Sequence, residues 1–336
     1  MKIAIDPYMF RALPVREMVR TVADLGYDYI ELSPRDDFMP FFLHPRADDD
    51  KIAELRGALD ETGVRLSSVL PLYKWSSPDE SERQAAVRYW RRMIEITAEL
   101  GCDLMNSEFN GRPDQAAQRE AAFWRSMDEL LPVFEREGIG LNLEAHPDDF
   151  CEENDRAVDL VRAINKPYVN YLYCAPHTFH LSGPAEPGAD IARMMRYVGD
   201  RLQRLHIADT FNHKGSSGLR YILNPPGTAA RIHQHLDIGQ GEVDWDTDRF
   251  TRVPGAEHPV SLGGRYTVNQ WPRGASWDFV AVGRGHGQEY WTQFLRALRE
   301  ADPDMAVNIE HEDLELGRLE GLEVAARHLR AAAAAL

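Results

Sequence analysis

Ile139-Gly-Leu-Asn-Leu-Glu144-Ala-His146 is an apolar run that closes on a carboxylate, and three later stretches share its form. They are Tyr171-Leu-Tyr-Cys-Ala-Pro-His177-Thr-Phe-His180, Leu202-Gln-Arg-Leu-His206-Ile-Ala-Asp209 and Met305-Ala-Val-Asn-Ile-Glu310-His-Glu-Asp313. Each reads as a strand with a potential metal ligand at its end: Glu144, His177, His206 or Glu310. Ligands so far apart in sequence meet only where a fold gathers its strand ends, and a closed parallel barrel does so at its C-terminal mouth. The spacing points to an α/β barrel and to an enzyme.

Outward from these strands, the chain alternates short β-rich runs with longer segments of helical period, as strand-helix units around a parallel sheet do. Strands are expected near 2–6, 28–33, 65–70, 103–108, 139–144, 168–173, 203–207 and 305–310. Helices are expected near 15–25, 50–63, 79–100, 115–137, 154–164, 188–199, 287–301 and 315–334. The architecture is a (β/α)8 TIM barrel, with residues 1–336 as a single domain. Ser77-Pro78-Asp-Glu reads as an N-cap followed by proline at N1, and Gly26, Gly63, Gly101 and Gly138 stand just past helical segments, where a left-handed residue is needed. Residues 210–290 break the rhythm. They form a long insert after strand 7, rich in Gly, Trp and Tyr, and are expected to cover the mouth as a lid or to serve as a partner surface.

Composition removes several functions. The 336 residues are 43% hydrophobic and 27% charged, as in a soluble globule, and contain no run of 18 apolar residues to span a bilayer. Lys2 leads at once into strand-like Ile3-Ala-Ile5, which leaves no room for a signal peptide, so a cytoplasmic location is expected. A net charge of -16, with no basic stripe to offset it, excludes nucleic acid as an expected partner. Cys102, Cys151 and Cys174 are too few and too irregularly spaced for a disulfide framework or a thiolate zinc site, and read as buried thiols.

Two carboxylates and two imidazoles suit one divalent ion, Mn²⁺, Zn²⁺, Fe²⁺ or Co²⁺, where an all-oxygen set would favour Mg²⁺ or Ca²⁺. His146, two residues past Glu144, reads either as a group acting on a bound substrate or as loop support. His180 reads as a reader of substrate hydroxyls or as a structural residue, and Asp209 as a group that orients a ligand or a hydroxyl. Glu31 and Glu108 close strands two and four, where they would accept hydrogen bonds from a polyhydroxylated ligand or form salt bridges. Tyr73, Trp75 and Phe109 near the same rim are candidates for stacking on a sugar or for packing.

Leu25-Gly-Tyr-Asp-Tyr-Ile-Glu31, Leu143-Glu-Ala-His-Pro147, His177-Thr-Phe-His180, Leu205-His-Ile-Ala-Asp209, Gly239-Gln-Gly-Glu-Val-Asp-Trp245 and Ile309-Glu-His-Glu-Asp313 resemble the xylose-isomerase-like barrel superfamily of sugar isomerases and epimerases. The resemblance runs across nearly the whole chain. It implies one divalent ion, Mn²⁺ first, on positions that in the superfamily are Glu, Asp, His and Glu; here His177 stands where Asp is usual. Within the superfamily, the insert after His206 and the segments Asp6-Pro-Tyr-Met-Phe and Glu31-Leu-Ser-Pro-Arg-Asp36 look most like the large subunits of bacterial C-glycoside deglycosidases. That narrower likeness implies a 3-oxo-glucoside substrate, a small β subunit as partner, and His146 as the base that removes the C2 proton before β-elimination of the aglycone. The alternative is a keto-sugar isomerase or epimerase in which Glu144 or Glu310 moves the proton.

Overall fold

The computed structural model describes residues 2–146, 149–174, 281–284, 287–301, 303, 306–311 and 316–336, together with the backbone of seven strands between 202 and 280. The strands, in chain order, are β1 (Lys2–Ile5), β2 (Tyr29–Leu32), β3 (Arg65–Val69), β4 (Leu104–Glu108), β5 (Gly140–Glu144), β6 (Val169–Cys174) and β7 (Leu202–Ile207). There follow β8 (Asp209–His213), β9 (Leu219–Ile222), β10 (Gln234–Asp237), β11 (Ser261–Leu262), β12 (Tyr266–Thr267), β13 (Ser276–Val280) and β14 (Ala306–Ile309). Helices α1 (Val15–Asp24), α2 (Asp49–Thr62), α3 (Glu80–Glu99), α4 (Ala116–Glu137), α5 (Asn154–Ile164), α6 (Gln288–Ala301) and α7 (Arg318–Ala334) lie between or after them.

The first seven strands and β14 close into a parallel barrel in the order β1-β14-β7-β6-β5-β4-β3-β2, as the alternating pattern requires. Side-chain alternation assigns the faces. On β5, Leu141 and Leu143 take one face and Asn142 and Glu144 the other, all buried. The inner face carries a connected polar layer. Asn142 donates to Asn106 of β4 at 2.8 Å; Asn106 donates to Glu31 of β2, and Ser68 of β3 donates to the same Glu31 oxygen at 2.5 Å. Ser67 of β3 reaches Asn308 of β14 at 3.4 Å, although these strands are not neighbours in the sheet, so that contact crosses the interior. Cys102, Cys151 and Cys174 are buried free thiols, and burial pushes the Cys151 thiol well above its ordinary range.

The helices end where the glycines say they should: Gly26, Gly63, Gly101 and Gly138 all have φ between 68° and 79°. The start of α3 differs from the sequence reading. Asp79, not Ser77, is its N-cap, accepting from the N–H groups of Ser81 and Glu82, while Ser77 accepts from the N–H of Asp79 one turn earlier. An aspartate two residues closer to the helix outcompetes the serine because a charged acceptor gives the stronger hydrogen bond to orphan N–H groups.

The chain divides into two compact units, one within Met1–Cys174, Arg193–Ile207 and Arg296–Glu310, the other within Ala175–Ala192, Ala208–Leu295 and His311–Leu336. The first holds the barrel strands and α1 to α5. In the second, the described parts of the insert are antiparallel pairs, β8 with β13, β9 with β10 and β11 with β12. There too, the His311 ring lies against Gly321 of α7 and the His328 ring against Gly283. The helix expected near 188–199 lies outside the described residues. Among the described residues, no helix is long and apolar enough to cross a membrane.

Candidate functional site

Of the candidate ligands, Glu144 and His206 sit on β5 and β7, and Glu310 directly after β14; with β6 between β5 and β7, these are adjacent staves of the barrel. Glu144 is the last residue of β5 and 3% exposed. Its neighbour Tyr171 on β6 has a phenol raised well above its usual range, by burial first and then by the Tyr173 ring and the Glu144 charge. His206 is the penultimate residue of β7, described by its backbone, and is the Cα partner of Cys174 on one side and Asn308 on the other. Glu310 follows directly on β14. His177 and His180 lie beyond the end of β6, outside the described residues. Asp209 opens β8 opposite Val280, and only its backbone is described.

By residue type the set fits a divalent ion: Glu144 closes β5, Glu310 directly follows β14, and β7, one of the two strands between them, carries His206. Oxygen and nitrogen donors of this type suit the metals named from sequence.

A second constellation, built on β4 and the loop after β5, is only partly visible in the sequence. Glu108, the last residue of β4, is the Cα partner of Glu144, so two carboxylates stand side by side on the rim. The chain after Glu144 then folds back. The Asp149 N–H donates to the His146 carbonyl at 3.2 Å, and the Asp149 carboxylate accepts the Asn110 N–H at 2.7 Å. Asn110 reaches that position through a left-handed φ of 61° just past β4, a conformation asparagine tolerates better than most residues. The result brings donor atoms of Glu108, His146 and Asp149 within 4.8 Å of one another, a group that could hold a metal ion. His146 Nε2 is 3.6 Å from Glu108 Oε1, with the two side chains 22% and 18% exposed, and Asp149 is 4% exposed. Asp149 does not stand out in the sequence; the acidic pair that follows Glu144-Ala-His146-Pro147 is its only signal.

Glu31 is 0% exposed and occupied by Ser68 and Asn106. Trp75 and Phe109 are packing residues. Both are fully buried, Trp75 stacks on Trp90 with ring centroids 4.0 Å apart, and its indole N–H donates to the Phe109 carbonyl. Tyr73 is partly exposed and stacks on Tyr89 at 4.5 Å.

A model of the xylose isomerase-like TIM barrel family matches residues 19–249. Among solved structures, the chain is similar to the IOLI protein with a bound zinc atom, at a TM-score of 0.66 and 16% identity over 100% of this chain and 99% of that one. It is similar to a D-psicose 3-epimerase in the presence of D-fructose, at 0.61 and 16% over 98% and 97%. It is also similar to the apo form of the 3-keto-D-glucoside 4-epimerase YcjR from E. coli, at 0.60 and 16% over 98% and 99%. Likeness at this identity carries the fold.

Proposed function

The chain belongs to the xylose isomerase-like TIM barrel family, and from that premise we propose that it is a divalent-metal-dependent isomerase or epimerase of keto sugars, with 3-oxo-glucosides as the first substrates to test. The observation that carries this reading is the row of adjacent staves that bears Glu144, His206 and Glu310 at its C-terminal end. Support for the substrate class comes from the two epimerases of similar structure, one of D-psicose and one of a 3-keto-D-glucoside.

Glu144, His177, His206 and Glu310 would hold the ion. Mn²⁺ is the first candidate, with Zn²⁺, Co²⁺ and Fe²⁺ next; similar structures hold zinc or magnesium. A divalent ion held there would polarise a sugar carbonyl and so acidify the neighbouring C–H. Glu144 and Glu310 then take that proton and return it, to the other face of the same carbon in an epimerase or to the adjacent carbon in an isomerase. Burial of Glu144 keeps bulk water from competing for the proton. His180 and Asp209 would take substrate hydroxyls.

Solvent exchange tests the shared chemical step whichever product forms. Metal-loaded protein in D₂O, given D-fructose, D-psicose or a 3-oxo-glucoside, is expected to place deuterium on the carbon beside the carbonyl, read by NMR. Glu310→Gln should slow exchange by about 10²- to 10⁴-fold, the usual contribution of a positioned base. Absence of exchange with every substrate would overturn the proposal. The same C2 proton removal on a 3-oxo C-glucoside would begin β-elimination, so aglycone release, assayed with and without a small β subunit, separates carbon-carbon cleavage from epimerisation.

A further inference from the structure

We propose that Asn142 and Asn170, with Asn308 beside them, bind one hydroxyl group inside the barrel beneath Glu144, supplied by a water molecule or by the deepest hydroxyl of a bound sugar. Asn142 precedes Glu144 by two residues on β5, so the two side chains share a face. Asn106, Asn142 and Asn170 are register partners on β4, β5 and β6, which sets three amides in one row on that face. Each of them, like Asn308, is at most 2% exposed.

The row is joined on one side of Asn142 and not on the other. Asn142 Nδ2 donates to Asn106 Oδ1 at 2.8 Å, and from Asn106 the hydrogen bonds run on through Glu31, Ser68 and Ser67 to Asn308 Oδ1 on β14. Along the arc from β5 through β6 and β7 to β14 the pattern differs. Asn142 Oδ1, Asn170 Nδ2 and Asn308 Nδ2 have no hydrogen-bond partner among the described residues. Asn170 is as close in register to Asn142 as Asn106 is, yet an acceptor on one and a donor on the other stay apart where the first pair bonds directly. A group that both donates and accepts would join them.

Buried amide atoms are costly to leave unpaired, and native interiors satisfy nearly all of them. One acceptor and two donors require one O–H and two lone pairs, which is the inventory of a hydroxyl. A cation would face two N–H groups, and an anion would face Oδ1. A buried water typically makes about three such bonds. A sugar hydroxyl at the same point would fix how deep a keto sugar sits below Glu144, and would make Asn142 and Asn170 determinants of specificity.

Crystals of the metal-loaded full chain, ordered well enough to show solvent, separate the two sources when compared without sugar and after soaking with D-psicose. Expected is one oxygen within about 2.7–3.2 Å of both Asn142 Oδ1 and Asn170 Nδ2. A solvent oxygen in both arms names water as the source; a D-psicose oxygen in the second names the substrate. Only the sugar arm rests on the isomerase reading, whose own failure shows separately as absence of deuterium exchange. Asn170→Leu, which keeps a branched side chain but no donor, should lose the oxygen. No oxygen at that point in either wild-type arm, with Asn170 Nδ2 bonded directly to Asn142 Oδ1 or left unpaired, would overturn the site whether or not the variant folds. The same oxygen persisting in Asn170→Leu would overturn it too.

Discussion

Glu31 is fully buried and accepts hydrogen bonds from Ser68 and Asn106. Glu31→Ala deprives both donors of that acceptor inside the barrel, and urea unfolding is expected to show a loss of about 2–4 kcal/mol. A higher KM with an unchanged midpoint would instead assign Glu31 to the sugar, the contact anticipated from its strand-end position. Gly321 offers a test whose sign is diagnostic. A Cβ there would stand 1.9 Å from His311 Cε1. Helix propensity favours alanine over glycine by about 1 kcal/mol, so a Gly321→Ala protein that melts below wild type reports the clash. A loss of about 1–3 kcal/mol is expected, with weaker metal retention, since His311 adjoins Glu310; a raised melting temperature would rule the contact out. The strand-end positions of Glu144 and Glu310 are legible in the sequence because each closes or directly follows an apolar run that forms a barrel strand. Asp149 is not, because its place depends on the left-handed turn at Asn110, a tertiary accommodation with no periodic signature. Trp75 and Phe109 stay open between sugar stacking and packing in the sequence for a related reason: rim position is readable, but the packing of α3 and α4 that encloses them is not.

The eight barrel strands fall within one residue of the runs read from sequence, since short β-rich runs alternate with longer segments of helical period, four of which end on a left-handed glycine. Cap identity is harder to read, as the shift from Ser77 to Asp79 shows, because neighbouring acceptors compete for the same N–H groups. Between α3 and α4 the main polar tie is Arg83, a 3% exposed side chain bonded to Glu80 at 2.5 Å and to Glu129 at 2.8 Å. The Arg83 hydrogen bond, followed by that of Gln84, holds the Glu80 carboxyl at about 2. A carboxylate depressed in the folded state stabilises above its unfolded pKa, and that contribution is lost as pH falls through the folded value. The stability advantage of wild type over Arg83→Met is therefore expected to be full at pH 6 and to shrink steadily from about pH 4.5 towards 2. Denaturant melts at several pH values check this; a difference independent of pH would show that Arg83 acts through packing alone.

Metal binding and folding are linked wherever only the native chain assembles the ligands. At free metal near 100 times Kd, the native state gains about 2.7 kcal/mol, which for a chain of 336 residues moves the melting temperature by about 4 °C. Chelation should lower it by the same amount. A melting curve indifferent to chelator and metal would count against the strand-end set. The barrel also has a seam, the parallel pairing of β1 with β14, residues 2–5 with 306–309. The barrel's N-terminal strand thus waits for its C-terminal one. On the ribosome, β7 emerges and then residues 208–305 must follow before the closing stave arrives; at about 5–20 residues per second that takes roughly 5–20 s. Throughout that interval the nascent chain carries two unpaired sheet edges, each a template for a neighbouring copy. Slower translation after residue 309 would be harmless, whereas a pause within the preceding hundred codons would prolong the period in which chaperones, not the fold, keep the protein from aggregating.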